Sequence, residues 1–238
     1  MLREFVAKLK GKKTGNDLSS LRNIPTPVTD HPVFKDLDVL VLADTHGTLS
    51  DEKLRRSLKT PPDMILILGD IYYQNLELFF SVLNSLKMTD IPILGILGNH
   101  DDKDLFSYFP RIKDMDGKRE VLSVKGKELS VAGLSGSIRY KYSDHYVLRT
   151  HKESVEILDP LESCDLLMTH DKPCFIKPDD FEYDELCKDA HSGLYGIGKY
   201  IAKKKPQLVL HGHTHNPMIS KYEDSYIRCC YGIERFRI

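Results

Sequence analysis

Six of the ten histidines in the chain stand in short polar blocks that also carry Asp, Asn and Gly. The blocks are Asp44-Thr45-His46-Gly47, Gly69-Asp70, Gly98-Asn99-His100-Asp101, Thr169-His170-Asp171 and His211-Gly212-His213-Thr214-His215. Imidazole nitrogens combined with carboxylate and amide oxygens suit Mn, Fe, Zn, Ni or Co better than calcium. Cysteine is absent from the set, which argues against a closed structural zinc site. Asp44 and His46 are two residues apart, so an extended stretch ending in a tight turn can aim both one way. His213 and His215 repeat that spacing. A carboxylate from a separate block, such as Asp70, can bridge two ions. Two ions roughly 3.5–4 Å apart can hold a phosphate, acidify a water between them and stabilise the attacking and leaving oxygens. Each group alone also has an ordinary explanation. Asp after a strand forms turns or caps a helix, a lone His is usually a hydrogen-bonded structural residue, and Asn99 can be a turn residue. That explanation must hold five times over. His31, His145, His151 and His191 lie outside the blocks and read as surface or loop residues.

The blocks share a position: each follows a short apolar run. The runs are Leu37 to Ala43, Met64 to Leu68, Pro92 to Leu97, Leu166 to Met168 and Leu208 to Leu210. Continuous runs of this length fit strands buried on both faces. Helical stretches are expected over Asp51–Lys59, Asn75–Lys87 and Ser192–Lys204, the last with Ser192 as N-cap. Alternation of strand and helix predicts an α/β layered core. Hairpins follow from Val121–Val124 with Leu129–Ala132, and from Met218–Tyr222 with Tyr226–Tyr231. Asp159–Asp165 and Asp171–Asp189 read as acidic loops. In open α/β sheets ligands bind at the carboxyl ends of strands, so five such ends can converge on one site.

Composition narrows the class. The chain has 238 residues, 41% of them hydrophobic, enough for a large core and too many for a disordered protein. No run of about 18 to 20 apolar residues is present, so no transmembrane segment is expected. The formal charge is −1, which disfavours an extended nucleic-acid surface but not a small phosphate ester held by metal ions. Five cysteines with no CxxC pair predict reduced thiols and a cytoplasmic setting. No secretory h-region follows the N-terminus. Leu2, Phe5, Val6 and Leu9 fall on one helical face among Arg3, Lys8 and Lys10. The expectation there is a short packed helix or frayed tail rather than an anchor on anionic lipid. Residues 1–36 read as an N-terminal extension and Pro-broken connector, and 37–238 as one domain.

In their order along the chain, the five blocks resemble the calcineurin-like metallophosphoesterase superfamily. Its pattern runs Asp-x-His, Gly-Asp, Gly-Asn-His-Asp/Glu, His, Gly-His-x-His, and the resemblance spans about residues 37 to 232. It implies a four-layer αββα sandwich with two mixed β-sheets. It implies two divalent metal ions, manganese first, with Fe, Zn, Ni or Co as alternatives. Asp44, His46 and His215 would hold one ion, Asn99, His170 and His213 the other, and Asp70 would bridge them. A hydroxide bridging the ions would attack phosphorus in line. His100 would contact the phosphate or protonate the leaving oxygen, and Asp101 would orient and charge His100. His211 would support the site or pack in the core.

Departures from subfamily patterns bear on the substrate. Gly69-Asp70 continues as Ile71-Tyr72-Tyr73-Gln74-Asn75, without the arginine of protein phosphatases and dinucleoside tetraphosphate hydrolases, and Asp101 replaces the phosphatase glutamate. The Gly133–Tyr140 segment and Thr169-His170-Asp171-Lys172-Pro173 resemble bacterial and phage phosphodiesterase-like members. The expected substrate is therefore a small phosphodiester, of a nucleotide kind among the candidates. Arg139 could meet a phosphate or lie on the surface. Tyr72, Tyr73 and Tyr140 could stack on a base or pack internally. The alternatives are a phosphomonoesterase or nuclease of the same superfamily, or a catalytically silent protein-binding scaffold. The oligomeric state is not legible.

Overall fold

The computed structural model describes residues 37–237, apart from 180, 182–185 and 188. The N-terminal amphipathic segment, the connector and His31 lie outside the described residues. Thirteen strands are described: β1 Asp38–Ala43, β2 Met64–Ile67, β3 Ile93–Gly95, β4 Ile112–Asp114, β5 Arg119–Val124, β6 Lys127–Leu134, β7 Ser137–Ile138, β8 Leu148–Arg149, β9 Leu166–Thr169, β10 Leu208–His211, β11 Met218–Tyr222, β12 Ser225–Cys229 and β13 Gly232–Arg237. The α-helices are α1 Asp51–Ser57, α2 Tyr73–Ser85, α3 His151–Leu158 and α4 Tyr195–Lys204. One sheet runs β13-β1-β2-β3-β4 and the other β11-β12-β10-β9-β6-β5, with β7 and β8 forming a small separate pair.

The apolar runs are continuous because each strand serves two cores. In β1, Val39, Val41 and Ala43 face the layer between the sheets, whereas Leu40 and Leu42 face α1 and α2. Met64 and Leu66 point inward from β2, and Ile65 and Ile67 outward. On the second sheet Leu166, Met168, Leu208 and Leu210 point inward, while Leu167 and Val209 pack with Leu158, Ile197 and Ile201 of α3 and α4. Period-two alternation of uniformly apolar residues thus produces the expected αββα layering. Both sheets are mixed, because β13, β5 and β11 run antiparallel to their neighbours.

The expected closing hairpin is present, with Met218–Tyr222 paired antiparallel to Ser225–Cys229. β12 stops at Cys229, and Gly232, at φ 74°, sends β13 across to pair with β1. Glycine carries this left-handed step without a Cβ penalty. Arg228 of β12 bonds Glu234 of β13 at 2.5 and 3.2 Å and lies over the Phe236 ring at 4.3 Å, which ties the two sheets together. Ser192 is not the N-cap of α4; Leu194 is. Leu194 donates to the Lys172 carbonyl and accepts from Cys174, so it is held extended and the helix starts after it. Helix α3 was not expected at all, although Thr150 and Glu153 form a complete capping box.

Because β1, β2, β3, β9 and β10 run parallel within their sheets, their carboxyl ends bring the five blocks to one edge of the sandwich. The inter-sheet core fixes that edge. Leu66→Ala, at a fully buried position in this layer, should cost about 2–5 kcal/mol in urea unfolding. A loss below about 1 kcal/mol would contradict the packing described.

Candidate metal centre

The chain turns sharply as it leaves each strand. Asp44, His46, Asp70, His213 and His215 all have left-handed backbones, with φ of 50°, 42°, 54°, 64° and 50°. Such conformations are unfavourable for residues with a Cβ and persist where surrounding structure imposes them. Here the loops are stitched to one another. Asp44 donates to the Gly69 carbonyl, His46 to Asp70 and Gly212 to His170, each at 3.0 Å. Glycine is required where loops approach the carboxylates most closely: a Cβ on Gly98 would collide with the Asp70 carboxylate, and one on Gly212 with that of Asp44.

The side chains converge as two linked groups. Asp44 Oδ1, His46 Nε2 and His215 Nε2 form the first, with separations of 3.9, 3.3 and 2.9 Å. Asp44, Asp70 and His170 form the second. Asp70 Oδ2 lies 3.7 Å from His46 Nε2 and 3.6 Å from His170 Nε2, between the two imidazoles. Asn99 Oδ1 lies 2.9 Å from His170 Nε2. His213 joins through its ring, 5.1 Å from that of His170.

Hydrogen bonds behind the rings decide which nitrogens face the centre. His170 Nδ1 donates to the Leu68 carbonyl at 2.7 Å, which leaves the Nε2 lone pair toward Asn99 Oδ1, itself an acceptor. His213 Nε2 donates to the Ala190 carbonyl at 2.8 Å, which leaves Nδ1 available. Asp44 Oδ2 accepts the His213 backbone N–H at 2.9 Å, yet Asp44 Oδ1 is buried with no hydrogen-bond partner. The orphaned buried Asp44 oxygen needs a cation, and Asn99 Oδ1 and His170 Nε2 need a proton or a metal ion between them. The donor set therefore fits divalent metal.

Protonation preferences divide: they favour a charged Asp70 and a neutral His213, but a protonated His170, whose second proton a metal ion would have to displace. Burial pushes the Asp70 carboxyl upward, but His170 outweighs it and holds the pKa below the usual carboxylate range. His170 is pushed down by burial and, more strongly, up by Asp70. Burial brings His213 down to about 4, so it stays neutral. Burial also lowers His46, whereas hydrogen bonding to Asp44 raises His215.

The two residues expected to do catalysis stand differently. His100 is exposed, its ring 5.6 Å from that of His46, and its backbone N–H donates to Asp70 Oδ1 at 2.8 Å. Asp101 does not orient it. Both Asp101 oxygens accept backbone N–H groups: Asp70 at 2.6 Å and Gly98 at 2.8 Å on Oδ2, Ile71 at 3.0 Å and Tyr72 at 3.3 Å on Oδ1. These four bonds fill its acceptor sites.

Other residues stand apart from their expected places. His191, expected to be incidental, lies with its ring 4.8 Å from His213. His211 is buried, its Nδ1 bonds the Gly212 carbonyl at 3.0 Å, and burial lowers its pKa to about 4, so it is a neutral support. Arg139 is bonded to Glu153 at 2.8 and 2.9 Å rather than aimed at a phosphate. Tyr73 packs edge-on against Tyr108 and at a tilt against Phe109. Tyr72 meets His46 edge-on, and Tyr231 meets His215. Tyr140 accepts from Asn99 Nδ2 at 3.2 Å, and Asn75 donates to Thr45 Oγ1 at 2.6 Å under the first loop. Nothing in the local sequence marks these contacts, because the partners are brought together by the tertiary fold and not by local spacing.

The family model of the calcineurin-like phosphoesterases matches residues 37–217. The chain belongs to that family. All seven ligand candidates fall within the match, and the family's chemistry is metal-dependent hydrolysis of phosphoesters. Among solved structures, TT1561 of Thermus thermophilus is 14% identical, with a TM-score of 0.55 over 85% of this chain and 99% of that one. Phosphopantetheinyl hydrolase from Mycobacterium tuberculosis is 10% identical, with a TM-score of 0.51 over 84% and 91%. At these identities the likeness is one of fold. No curated protein matches the chain in sequence.

Removing the Asp101 carboxylate would strand three buried donors and a part-buried fourth. Asp101→Ala should lower stability by at least about 3 kcal/mol in denaturant and reduce metal occupancy. A variant with wild-type stability would overturn the clamp described.

Proposed function

We propose that the protein hydrolyses a small phosphodiester at a pair of divalent ions. The observation that carries the dinuclear reading is the position of Asp70 Oδ2, within 3.7 Å of ligand nitrogens from both groups. In this reading Asp44, His46 and His215 hold one ion, Asn99, His170 and His213 the other, and Asp70 is shared. The ions would supply a nucleophile from water and positive charge for the phosphate oxygens. An all nitrogen and oxygen donor set supports manganese, or Fe, Zn, Ni or Co.

The protein's own groups set the rest. His170 and His213 keep their second nitrogens bonded to the Leu68 and Ala190 carbonyls, which fixes ring orientation. His100, exposed beside His46, meets the phosphate and gives its proton to the leaving oxygen as the P–O bond breaks. Asp101 is a positioning residue that acts through the Asp70 loop. Engagement of Arg139 by Glu153 supports a diester over a monoester, because that arginine does not meet a second phosphate charge. Five free cysteines support a reducing, cytoplasmic setting, and among the described residues no helix is long and apolar enough to cross a membrane. Residues 37–238 are taken as the catalytic domain and 1–36 as an extension.

Metal analysis and assay test the reading together. Protein loaded with manganese should bind about two ions per chain and hydrolyse bis-p-nitrophenyl phosphate faster than p-nitrophenyl phosphate. One ion per chain would refute the dinuclear reading, and a faster monoester would refute the diester preference. His100→Ala should lower kcat roughly 100- to 10,000-fold with metal content unchanged; lost metal would make His100 a ligand. Deletion of residues 1–30 should leave metal content and activity intact, and loss of either would make the extension part of the site.

A further inference from the structure

A cavity of about 540 Å³ opens beside the metal centre without containing any of its ligands. It shares walls with the loop that carries Asn99 and His100. Tyr146 lines it and lies with its ring 6.4 Å from that of His100. Tyr146 also forms a bridge with Asp102, and Lys103, another lining residue, donates to the His145 carbonyl at 3.0 Å. Next to these, Lys141 lies 5.3 Å from the Tyr140 ring centroid and 4.7 Å from that of Tyr146, and Tyr140 bonds Asn99. The segment from Tyr140 to Tyr146 therefore runs from a proposed metal ligand to the cavity, on the side of His100.

The floor is polar but internally neutralised. Arg149 bonds Asp116 at 2.5 Å and the Ser135 carbonyl at 3.0 Å, while Arg139 bonds Glu153. Asp114 is paired with Lys118 at 3.3 Å and Asp144 adds a further carboxylate, so the lining holds no excess of positive charge. A second phosphate or a polyphosphate tail is disfavoured in such a space. The rim presents Tyr142, whose residue is 71% exposed. An aromatic rim, a floor without excess positive charge and this volume suit an uncharged heterocycle with a sugar.

We propose that this cavity takes the leaving arm of the diester and that the arm is a nucleoside. The inference rests on the diesterase reading. His100 lies between the proposed metal centre and the cavity, so the arm seated there carries the oxygen that His100 protonates. Water adds to phosphorus, the P–O bond to the nucleoside oxygen breaks, and the nucleoside leaves as its alcohol with the other ester retained on the phosphate.

The methyl ester of thymidine 5′-phosphate tests this directly, because its two arms compete. Thymidine and methyl phosphate should exceed methanol and thymidylate by at least about tenfold, read by phosphorus NMR. Tyr142→Ala and Asp144→Arg should each move that product ratio toward one. Thymidine alone should shift the Tyr142 and Tyr146 ring signals in an NMR titration of the full chain. Methanol and thymidylate in equal or greater amount would overturn the inference while leaving the diesterase reading intact. Failure to cleave any diester would overturn that reading, and the cavity would then stand or fall on the thymidine titration, where absent shifts refute it.

Discussion

One buried carboxylate sets the geometry on which the centre depends. Asp101 binds the backbone N–H groups that follow β2 and the one that precedes Asn99 after β3. It therefore clamps two adjacent strand ends at the point where both turn. Charged hydrogen bonds of this kind stabilise by about 1.5–3 kcal/mol each, enough to hold Asp70 and Tyr72 at positive φ. Asp70 is then divided in its duties. Its Oδ1 accepts the His100 N–H and its Oδ2 faces the two imidazoles. A carboxylate free to rotate could not keep that division.

The layers were legible in the apolar runs, because a strand buried on both faces has to be apolar throughout. The ligand candidates were legible because metal chemistry restricts residue types and the turns restrict spacing. What escaped depends on partners far along the chain. In its own block, Asp101 stands next to His100 and reads as that residue's partner. Its true partners lie across a strand boundary, and no local pattern states which way those N–H groups point. The same holds for Arg139, which Glu153 claims, and for His191, brought to His213 by a loop with no periodicity. Ser192 fails as a cap for a related reason: pairing of Leu194 with the 172–174 segment overrides local preference. Helix α3 is the opposite case, since the signature of Thr150 and Glu153 is wholly local and sits within a short, weakly apolar stretch.

The candidate metal centre belongs to neither sheet alone. Asp44, His46, Asp70 and Asn99 leave the first sheet, and His170, His213 and His215 leave the second. Separations among the candidate ligands are consequently set by how the inner apolar faces seat against each other. A repacking far beneath the site would alter its geometry without touching any of them. A formal charge of −1 conceals this arrangement, because the carboxylates are concentrated where cations would neutralise them.

The return of β13 to β1 also has a history in time. Asp38 pairs with Arg237, so one edge of the first strand waits for the last described residue. On a ribosome adding about 5–20 residues per second, that edge stays open for roughly 10 to 40 seconds. An apolar strand with unpaired N–H and C=O groups is a template for association during that interval. The nascent chain therefore passes through a state in which β2 shields β1 on one side only. Its vulnerability during synthesis is a consequence of the same closure that joins the two sheets in the finished molecule.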